Sequence, residues 1–369
     1  MTIIDTRPRT LAERMVRSAV RATPIYIPSK DASVDLPRVV RLDMNESPYG
    51  PSPKTRAALA AFTATHRYPD FAQHDLRAAL SDYASVPQER IVAGAGLDDV
   101  FMTLAHLVVD PGDEVIISEP TFGMYRPLFT LVGATVTDVP LDAAFDLDVE
   151  AVLAAVGERT KIVVICSPNN PTGNPLDSAR VEAICRDAPC LVAIDEAYAE
   201  FAGSDHLALY ERYDNVTLLR TMSKWAGLAG MRVGYGVMPE QLVPYLGTVV
   251  PAFHNVGLAA SVAAVASLQD QDYLRSIVTR ISTDRDQLID QLRELPGVEP
   301  FPSVTNFVLM RLPVADGQAV VRRVAELGVL VRGFAHPRLR DALRVSIGTP
   351  AENECFLAAL ETALTETHA

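Results

Sequence analysis

Between Ile91 and about Gly236, short apolar runs alternate with stretches of helical periodicity. Strands that alternate with helices along a chain are typical of a largely parallel sheet with helices packed against its faces. The predicted strands are residues 91–93, 114–118, 135–139, 161–166, 191–194, 216–219 and 231–237. The sequence therefore predicts an α/β fold in which a mostly parallel, seven-stranded sheet is flanked by helices.

The chain of 369 residues exceeds the size of one ordinary hydrophobic core, so we expect two structural domains. We predict an N-terminal arm over residues 1–40, with an amphipathic helix over 11–20, a large domain over 41–275 and a small α+β C-terminal domain over 276–369. Helical periodicity dominates residues 258–293. The predicted elements of the small domain are residues 306–312, 318–326, 329–332, 343–347 and 350–365.

Lys224 lies among small residues in a run that extends from Arg220 to Arg232. Small neighbours would let a flat ligand approach the backbone, while the hydroxyls of Thr221 and Ser223 and the guanidinium of Arg232 suit a phosphate. A lysine amine beside a phosphate site predicts a Schiff base to an aldehyde cofactor that carries a phosphate. Pyridoxal 5'-phosphate fits this description.

Asp195 ends an apolar run that begins at Leu191, so we expect its carboxylate near the buried end of a strand. A buried carboxylate needs a cationic partner, and the protonated nitrogen of a pyridine ring would be one. Tyr198, three positions later, could donate a hydrogen bond to a ring oxygen. The alternative interpretation is that Asp195 caps the following helix.

Two turns follow apolar strands, at positions where ligands bind in open α/β sheets. Residues 160–166 lead into a polar turn that contains Asn170, whose amide could donate to a ring oxygen or to a substrate carboxylate. Residues 91–93 lead through Ala95 and Gly96 into a predicted helix, whose first amides would bind a phosphate. An ordinary tight turn is the commoner explanation of a Gly-x-Gly pattern.

Several segments together resemble the fold-type I pyridoxal-phosphate enzymes and, among these, the histidinol-phosphate aminotransferase family. The matching segments are residues 42–50, 67–70, 94–96, 120–125, 169–173, 195–201, 221–235, 303–307 and 343–349. They extend over nearly the whole chain in the order that the family has. The resemblance implies a transaminase that exchanges an amino group between an amine and a keto acid through pyridoxal 5'-phosphate.

The resemblance also implies roles for single residues. Lys224 would form the Schiff base and move the α-proton of the substrate, and Arg344 would bind a substrate carboxylate. The cofactor ring would be held by Phe122, Asn170, Asp195 and Tyr198. The cofactor phosphate would be held by Ala95, Gly96, Ser223 and Arg232. Tyr68 matches a tyrosine that reaches this phosphate from the neighbouring subunit, so the resemblance implies a homodimer.

Substrate choice depends on two further residues. Arg332 matches an arginine that binds the substrate phosphate in this family, and Tyr26 resembles an N-terminal tyrosine that closes over the substrate. The alternative interpretations are a solvated strand residue for Arg332 and an aromatic residue that packs the arm for Tyr26. The chain departs from the family pattern at Trp225, where alanine is common, and over residues 251–257.

The resemblance implies transfer of the amino group from L-histidinol phosphate to 2-oxoglutarate. Aromatic amino acid aminotransferases share most of the motifs and are the first alternative. An activity like that of a phosphothreonine decarboxylase is a more distant one.

Charge and composition argue against several other classes. A net charge of −13 without a basic run argues against nucleic-acid binding, and the segment before the first core motif is too short for the DNA-binding domain of a cofactor-sensing transcription factor. The N-terminus lacks the apolar run of a signal peptide, and no apolar stretch is of membrane-spanning length, so we expect a cytoplasmic protein. The four cysteines show no metal-binding spacing, and we expect neither a metal nor a disulfide.

Overall fold

The computed structural model describes residues 15–23, 39–249 and 256–367. Its strands, numbered in chain order, are β1 (Val40–Arg41), β2 (Ile91–Gly94), β3 (Glu114–Glu119), β4 (Thr135–Pro140), β5 (Thr160–Cys166), β6 (Leu191–Asp195), β7 (Val216–Thr221), β8 (Gly234–Val237), β9 (Glu299–Pro300), β10 (Phe307–Arg311), β11 (Val329–Leu330), β12 (Arg332–Gly333) and β13 (Ala342–Ser346).

The helices, numbered in the same way, are α1 (Ser18–Ala22), α2 (Pro53–Ala61), α3 (His74–Ala84), α4 (Leu97–Val108), α5 (Tyr125–Val132), α6 (Val149–Ala155), α7 (Ser178–Asp187), α8 (Ala199–Ala202), α9 (Leu207–Arg212), α10 (Val243–Val249), α11 (Leu258–Leu268), α12 (Gln271–Arg293), α13 (Gly317–Glu326) and α14 (Pro350–Thr367). Tyr26, one of the predicted site residues, lies outside the described residues.

The main sheet has seven strands in the order β2-β8-β7-β6-β5-β3-β4. The strand pairs from β7 to β4 are parallel, whereas β8 runs antiparallel to both β2 and β7. The predicted α/β fold with a mostly parallel sheet is therefore confirmed. The predicted strand 231–237 is wrong at its start, because Arg232 takes left-handed backbone angles (φ 53°) and β8 begins only at Gly234.

Burial explains why the central strands are rich in apolar residues. In β5 only Lys161 is exposed, and every residue of β7 is buried. Parallel strands covered on both faces bury both sets of side chains, so they lack a polar alternation. β4 lies at the edge of the sheet, and there only Val139 is buried.

The helical region 258–293 consists of two helices rather than one. Asp270 (φ −121°) leaves the helical conformation between α11 and α12, and its carboxylate accepts a hydrogen bond from Lys54 N at 3.2 Å. α11 packs against α2 and α3. The predicted helix 11–20 is wrong at Val16 and Arg17, because Arg17 (ψ 146°) has an extended backbone and α1 begins only at Ser18; residues 11–14 lie outside the described residues. Among the helices of the described ranges, none combines the length and the apolar character that crossing a bilayer requires.

The C-terminal part contains a second, antiparallel sheet in the order β12-β13-β10-β9, and α13 packs against α14 beside it. The predicted strand 329–332 is wrong in detail, because β11 pairs with β1 whereas β12 pairs with β13. The chain thus passes from one sheet to another after Leu330. The predicted domain boundary at residue 275 falls within α12, and the division into domains stays a prediction.

An ion pair joins the carboxyl ends of β6 and β7 inside the protein. Glu196, directly after β6, is fully buried, and Arg220 Nε donates to its Oε2 at 2.8 Å. His206 Nδ1 lies 2.9 Å from Glu196 Oε1, and Arg220 Nη2 donates to Asp205 Oδ2 at 2.8 Å. Burial opposes the charge of Glu196, but Arg220 and His206 hold the pKa of its carboxyl below the usual value. The pair fixes two neighbouring strand ends from which the site residues extend.

Candidate active site

A cavity of about 850 Å³ opens at the carboxyl ends of β5, β6 and β7 and extends toward β12 and β13. Ligand sites of open α/β sheets lie at this edge. The predicted site residues that line the cavity are Phe122, Asn170, Asp195, Tyr198, Thr221, Ser223, Lys224, Arg232, Arg332 and Arg344. Residues that are distant in the sequence therefore meet at one place.

Lys224 lies in a turn that Thr221 and Trp225 close. Ser223 N donates to Thr221 Oγ1 at 3.1 Å, and the indole Nε1 of Trp225 donates to Thr221 O at 3.1 Å. Trp225 is buried, and its ring stacks on the ring of Tyr83 with 5.1 Å between centroids. Trp225, which departs from the family pattern, thus stabilises the backbone next to the lysine.

The amine of Lys224 faces the cavity, where Nζ donates to Met44 O at 2.9 Å. Burial lowers the pKa of Lys224 to about 8, and the Arg344 guanidinium adds to this effect, whereas Glu46 acts against it. A part of the amine is therefore uncharged near neutral pH. The uncharged amine is the form that attacks an aldehyde or accepts a proton.

Asp195 is buried at the end of β6 and accepts two hydrogen bonds. Tyr125 OH donates to its Oδ2 at 2.5 Å, and Ala197 N donates to its Oδ1 at 3.0 Å. Burial nevertheless raises the pKa of Asp195 to about 6. A neighbouring cation would restore the charged form, and the pyridine nitrogen of the predicted cofactor could be that cation. Asp195 is not the capping residue of α8, because Tyr198 occupies the N-cap position.

Tyr198 is held by a residue to which the sequence pattern gave no role. Asn45 Nδ2 donates to Tyr198 OH at 2.9 Å, which leaves the phenol hydrogen to be donated to a ligand oxygen. Asn45 has left-handed backbone angles (φ 52°), which asparagine tolerates better than most residues. Its N donates to Ser346 Oγ at 2.8 Å, and Asn306 Nδ2 donates to its O at 2.9 Å.

Arg344 is buried in β13 and forms two hydrogen bonds at the cavity wall. Nη1 donates to Asn170 Oδ1 at 2.6 Å, and Nη2 donates to Asp43 O at 2.7 Å. Because Oδ1 of Asn170 faces Arg344, the Nδ2 hydrogens of this amide are directed elsewhere and can serve a ligand. Arg332 lies opposite Arg344 in the pairing of β12 with β13. The two guanidinium groups give this wall a positive charge that suits a carboxylate or a phosphate.

A second anion site lies at the start of α4. The guanidinium of Arg232 lies over Gly96 so closely that a Cβ added there would overlap Nη2. Arg232 Nη1 lies 3.5 Å from Ser223 Oγ, and its Nη2 lies 3.7 Å from Asp98 Oδ2. A cation, a hydroxyl and a helix N-terminus together fit a phosphate group. The N–H of Ala95 donates to Asp99 Oδ2 at 2.9 Å, so this predicted donor is engaged within the protein.

Two aromatic residues of the predicted site differ in their placement. Phe122 is half-buried at the cavity and packs edge-on against Tyr125 with 5.4 Å between centroids, so its ring can cover a flat ligand. Tyr68 does not line the cavity and is 83% exposed.

Within the described ranges, no group of three or more His, Cys, Asp or Glu side chains could hold a metal ion.

Comparison with known proteins identifies the family of the chain. Residues 37–360 match the family described as aminotransferase class I and II. A histidinol-phosphate aminotransferase of Roseiflexus castenholzii is 44% identical over 88% of this chain and 89% of that protein. One of Dehalococcoides mccartyi is 37% identical over 87% of this chain and 89% of that protein.

A solved structure is similar over nearly the whole length. The histidinol-phosphate aminotransferase from Sinorhizobium meliloti, crystallised in complex with pyridoxal-5'-phosphate, matches with a TM-score of 0.87 and 28% sequence identity. The match covers 95% of this chain and 97% of that one.

The lowered pKa of Lys224 predicts a pH-dependent effect of Lys224→Met on the stability of the cofactor-free protein. Below about pH 8 the folded wild type holds a buried charge, so the variant should be more stable. Between about 8 and 10.5 the folded protein releases this proton while the unfolded chain keeps it, so wild-type stability rises and the advantage of methionine fades. Urea unfolding at several pH values measures the difference, and an advantage that does not depend on pH would contradict the low pKa.

Gly96→Ala should displace the Arg232 guanidinium and weaken binding of pyridoxal 5'-phosphate on the order of 10-fold or more, since hydrogen bonds to charged groups are lost. Gly203→Ala is the control for a side chain added at positive φ. Gly96 (φ +92°, ψ 170°) and Gly203 (φ +65°, ψ 20°) both have a positive φ, but a Cβ at Gly203 meets no atom within 4 Å. Equilibrium dialysis measures both affinities, and equal losses would mean that backbone strain rather than Arg232 is responsible.

Proposed function

Because the chain belongs to the aminotransferase class I and II family, we propose that it is a histidinol-phosphate aminotransferase that uses pyridoxal 5'-phosphate. It would transfer the amino group of L-histidinol phosphate to 2-oxoglutarate, which yields imidazole acetol phosphate and L-glutamate. The observation that carries this proposal is the pair Arg332 and Arg344, which faces the same cavity as Lys224. A substrate whose phosphate lies near its reacting amine needs such a cationic wall.

The cofactor would be held by residues from both ends of the cavity. Pyridoxal 5'-phosphate, when bound, supplies an aldehyde that reacts with amines and a ring that accepts electrons. Its ring would be held by Phe122, Asn170, Asp195 and Tyr198. Its phosphate would be held by the first amides of α4 and by Thr221, Ser223 and Arg232. The raised pKa of Asp195 supports this arrangement, because this carboxylate pairs with no cation of the described residues and would gain one from the ring.

Lys224 would act as the base of the reaction. Its Nζ would remove the proton from the α-carbon of the substrate and hold it until it is returned. A pKa of about 8 suits this role, since the amine can both accept and release a proton near neutral pH. Arg344 would bind the α-carboxylate of glutamate, and Arg332 would bind the phosphate of histidinol phosphate. One cavity would thus accept both amino donors.

A half-reaction followed by absorbance tests this function. Protein loaded with pyridoxal 5'-phosphate is mixed separately with L-histidinol phosphate, L-glutamate and L-phenylalanine. We expect rapid loss of the absorbance of the pyridoxal form of the cofactor with the first two and slow loss with phenylalanine, which lacks an anion for Arg332. Faster conversion by phenylalanine would assign the protein to the aromatic amino acid aminotransferases, and release of carbon dioxide from phosphothreonine would assign it to the decarboxylases.

We also propose a homodimer in which Tyr68 of one subunit reaches the cofactor phosphate of the other. Tyr68 is 83% exposed and Phe71 is 70% exposed, and large exposed aromatic side chains close together are typical of an interface. Light scattering should give twice the mass of one 40.0 kDa chain. The mass of a single chain would contradict the proposal. The cytoplasmic location stays a prediction from the sequence.

A further inference from the structure

The connection between β12 and β13 closes one side of the cavity. Phe334, Ala335, His336 and Leu339 of this connection line it, together with Arg332. Leu339 is buried, whereas His336 is half-buried with its imidazole at the cavity. The connection therefore adds a titratable ring to the wall on which the two arginines lie.

The hydrogen bonds of His336 determine which ring nitrogen carries the proton. Arg338 N donates to His336 Nδ1 at 3.2 Å, so Nδ1 has no hydrogen in this arrangement. A neutral imidazole then carries its hydrogen on Nε2. Burial lowers the pKa of His336, and Arg338 lowers it further, although Asp138 acts in the opposite direction. Within the described part of the chain, Nε2 has no hydrogen-bond partner, so this donor is available at the cavity.

Arg338 fixes this connection to the segment that follows β4, the edge strand of the main sheet. Its Nη1 donates to Leu141 O at 2.5 Å and its Nη2 donates to Asp142 O at 2.6 Å, both in the chain that follows β4. The guanidinium also lies 4.6 Å from the centroid of the Phe145 ring. Two charge-assisted hydrogen bonds and a cation–π contact hold the backbone next to His336. The imidazole is thus positioned before any ligand binds.

We infer that His336 determines specificity for a phosphorylated amine, because its Nε2–H donates a hydrogen bond to the phosphate that Arg332 binds. The inference rests on the proposed function. A carboxylate offers two oxygens, and one guanidinium fork can occupy both. A phosphate monoester offers three terminal oxygens, so a donor in addition to the guanidinium fork of Arg332 favours phosphate over carboxylate. His336 supplies this donor without adding a further positive charge.

Two substitutions separate the donor from its structural role. In His336→Asn, the amide oxygen can replace Nδ1 as the acceptor for Arg338 N, but the side chain is too short to reach as far as Nε2. In His336→Gln, the amide nitrogen lies near the position of Nε2 and can donate in its place. His336→Phe keeps a planar ring without any donor. It gives the same comparison with the wild type if the Asn variant does not fold.

The half-reactions with L-histidinol phosphate and L-glutamate are measured for wild type and each variant. We expect His336→Asn to raise the apparent substrate constant for histidinol phosphate about 10-fold or more, and the constant for glutamate less than about twofold. His336→Gln should recover a part of the loss. Inorganic phosphate should inhibit the wild type competitively and the Asn variant less strongly.

The outcomes that overturn the inference differ from those that overturn the proposed function. Equal losses for both substrates in His336→Asn, or wild-type constants in that variant, would show that His336 only supports the loop. Failure of the wild type to react with histidinol phosphate would remove the proposed function and the inference with it. If the wild type converts histidinol phosphate and the Asn and Phe variants convert it equally well, the inference is wrong but the proposed function is not.

Discussion

Two opposite charges, those of Glu196 and Arg220, meet between the ends of β6 and β7, where both side chains are shielded from solvent. Asp195 precedes Glu196 in the chain and Thr221 follows Arg220, so the ion pair fixes the backbone next to two residues that line the cavity. A charge buried here without its partner would cost roughly 3–5 kcal/mol. The pair therefore makes the relative position of the two strand ends costly to change. Lys224 lies three residues after Thr221, so the position of its backbone is restrained as well.

The cavity combines groups whose pKa values are shifted toward each other. Burial raises the pKa of Asp195 to about 6 and lowers that of Lys224 to about 8. A cationic ligand would therefore stabilise the charged form of Asp195, and a ligand with an aldehyde would react with the uncharged amine of Lys224. The walls carry Arg232, Arg332 and Arg344, although the protein as a whole has a net charge of −13. A local cationic surface in an acidic protein favours small anions.

Much of the fold could be predicted because strands buried on both faces are apolar along the sequence, as residues 162–166 of β5 are. Details that depend on pairing could not: β11 and β12 are separate because they pair with different strands, and the left-handed Arg232 delays the start of β8. In the site, residues within motifs were identified from chemistry and resemblance. The residues that hydrogen-bond to these site residues were not identified, because they are distant in the sequence. Tyr125 is 70 positions from Asp195, and Asn45 is 153 positions from Tyr198.

Trp225, whose indole closes the turn around Lys224, is the only tryptophan in the chain. The tryptophan fluorescence of the protein therefore originates at one point, next to the reactive lysine and against the ring of Tyr83. A chromophore bound in the cavity lies within the short range over which excitation energy passes from an indole to an acceptor. The protein thus carries its own optical reporter of cofactor loading, without a label and without a second tryptophan elsewhere in the chain.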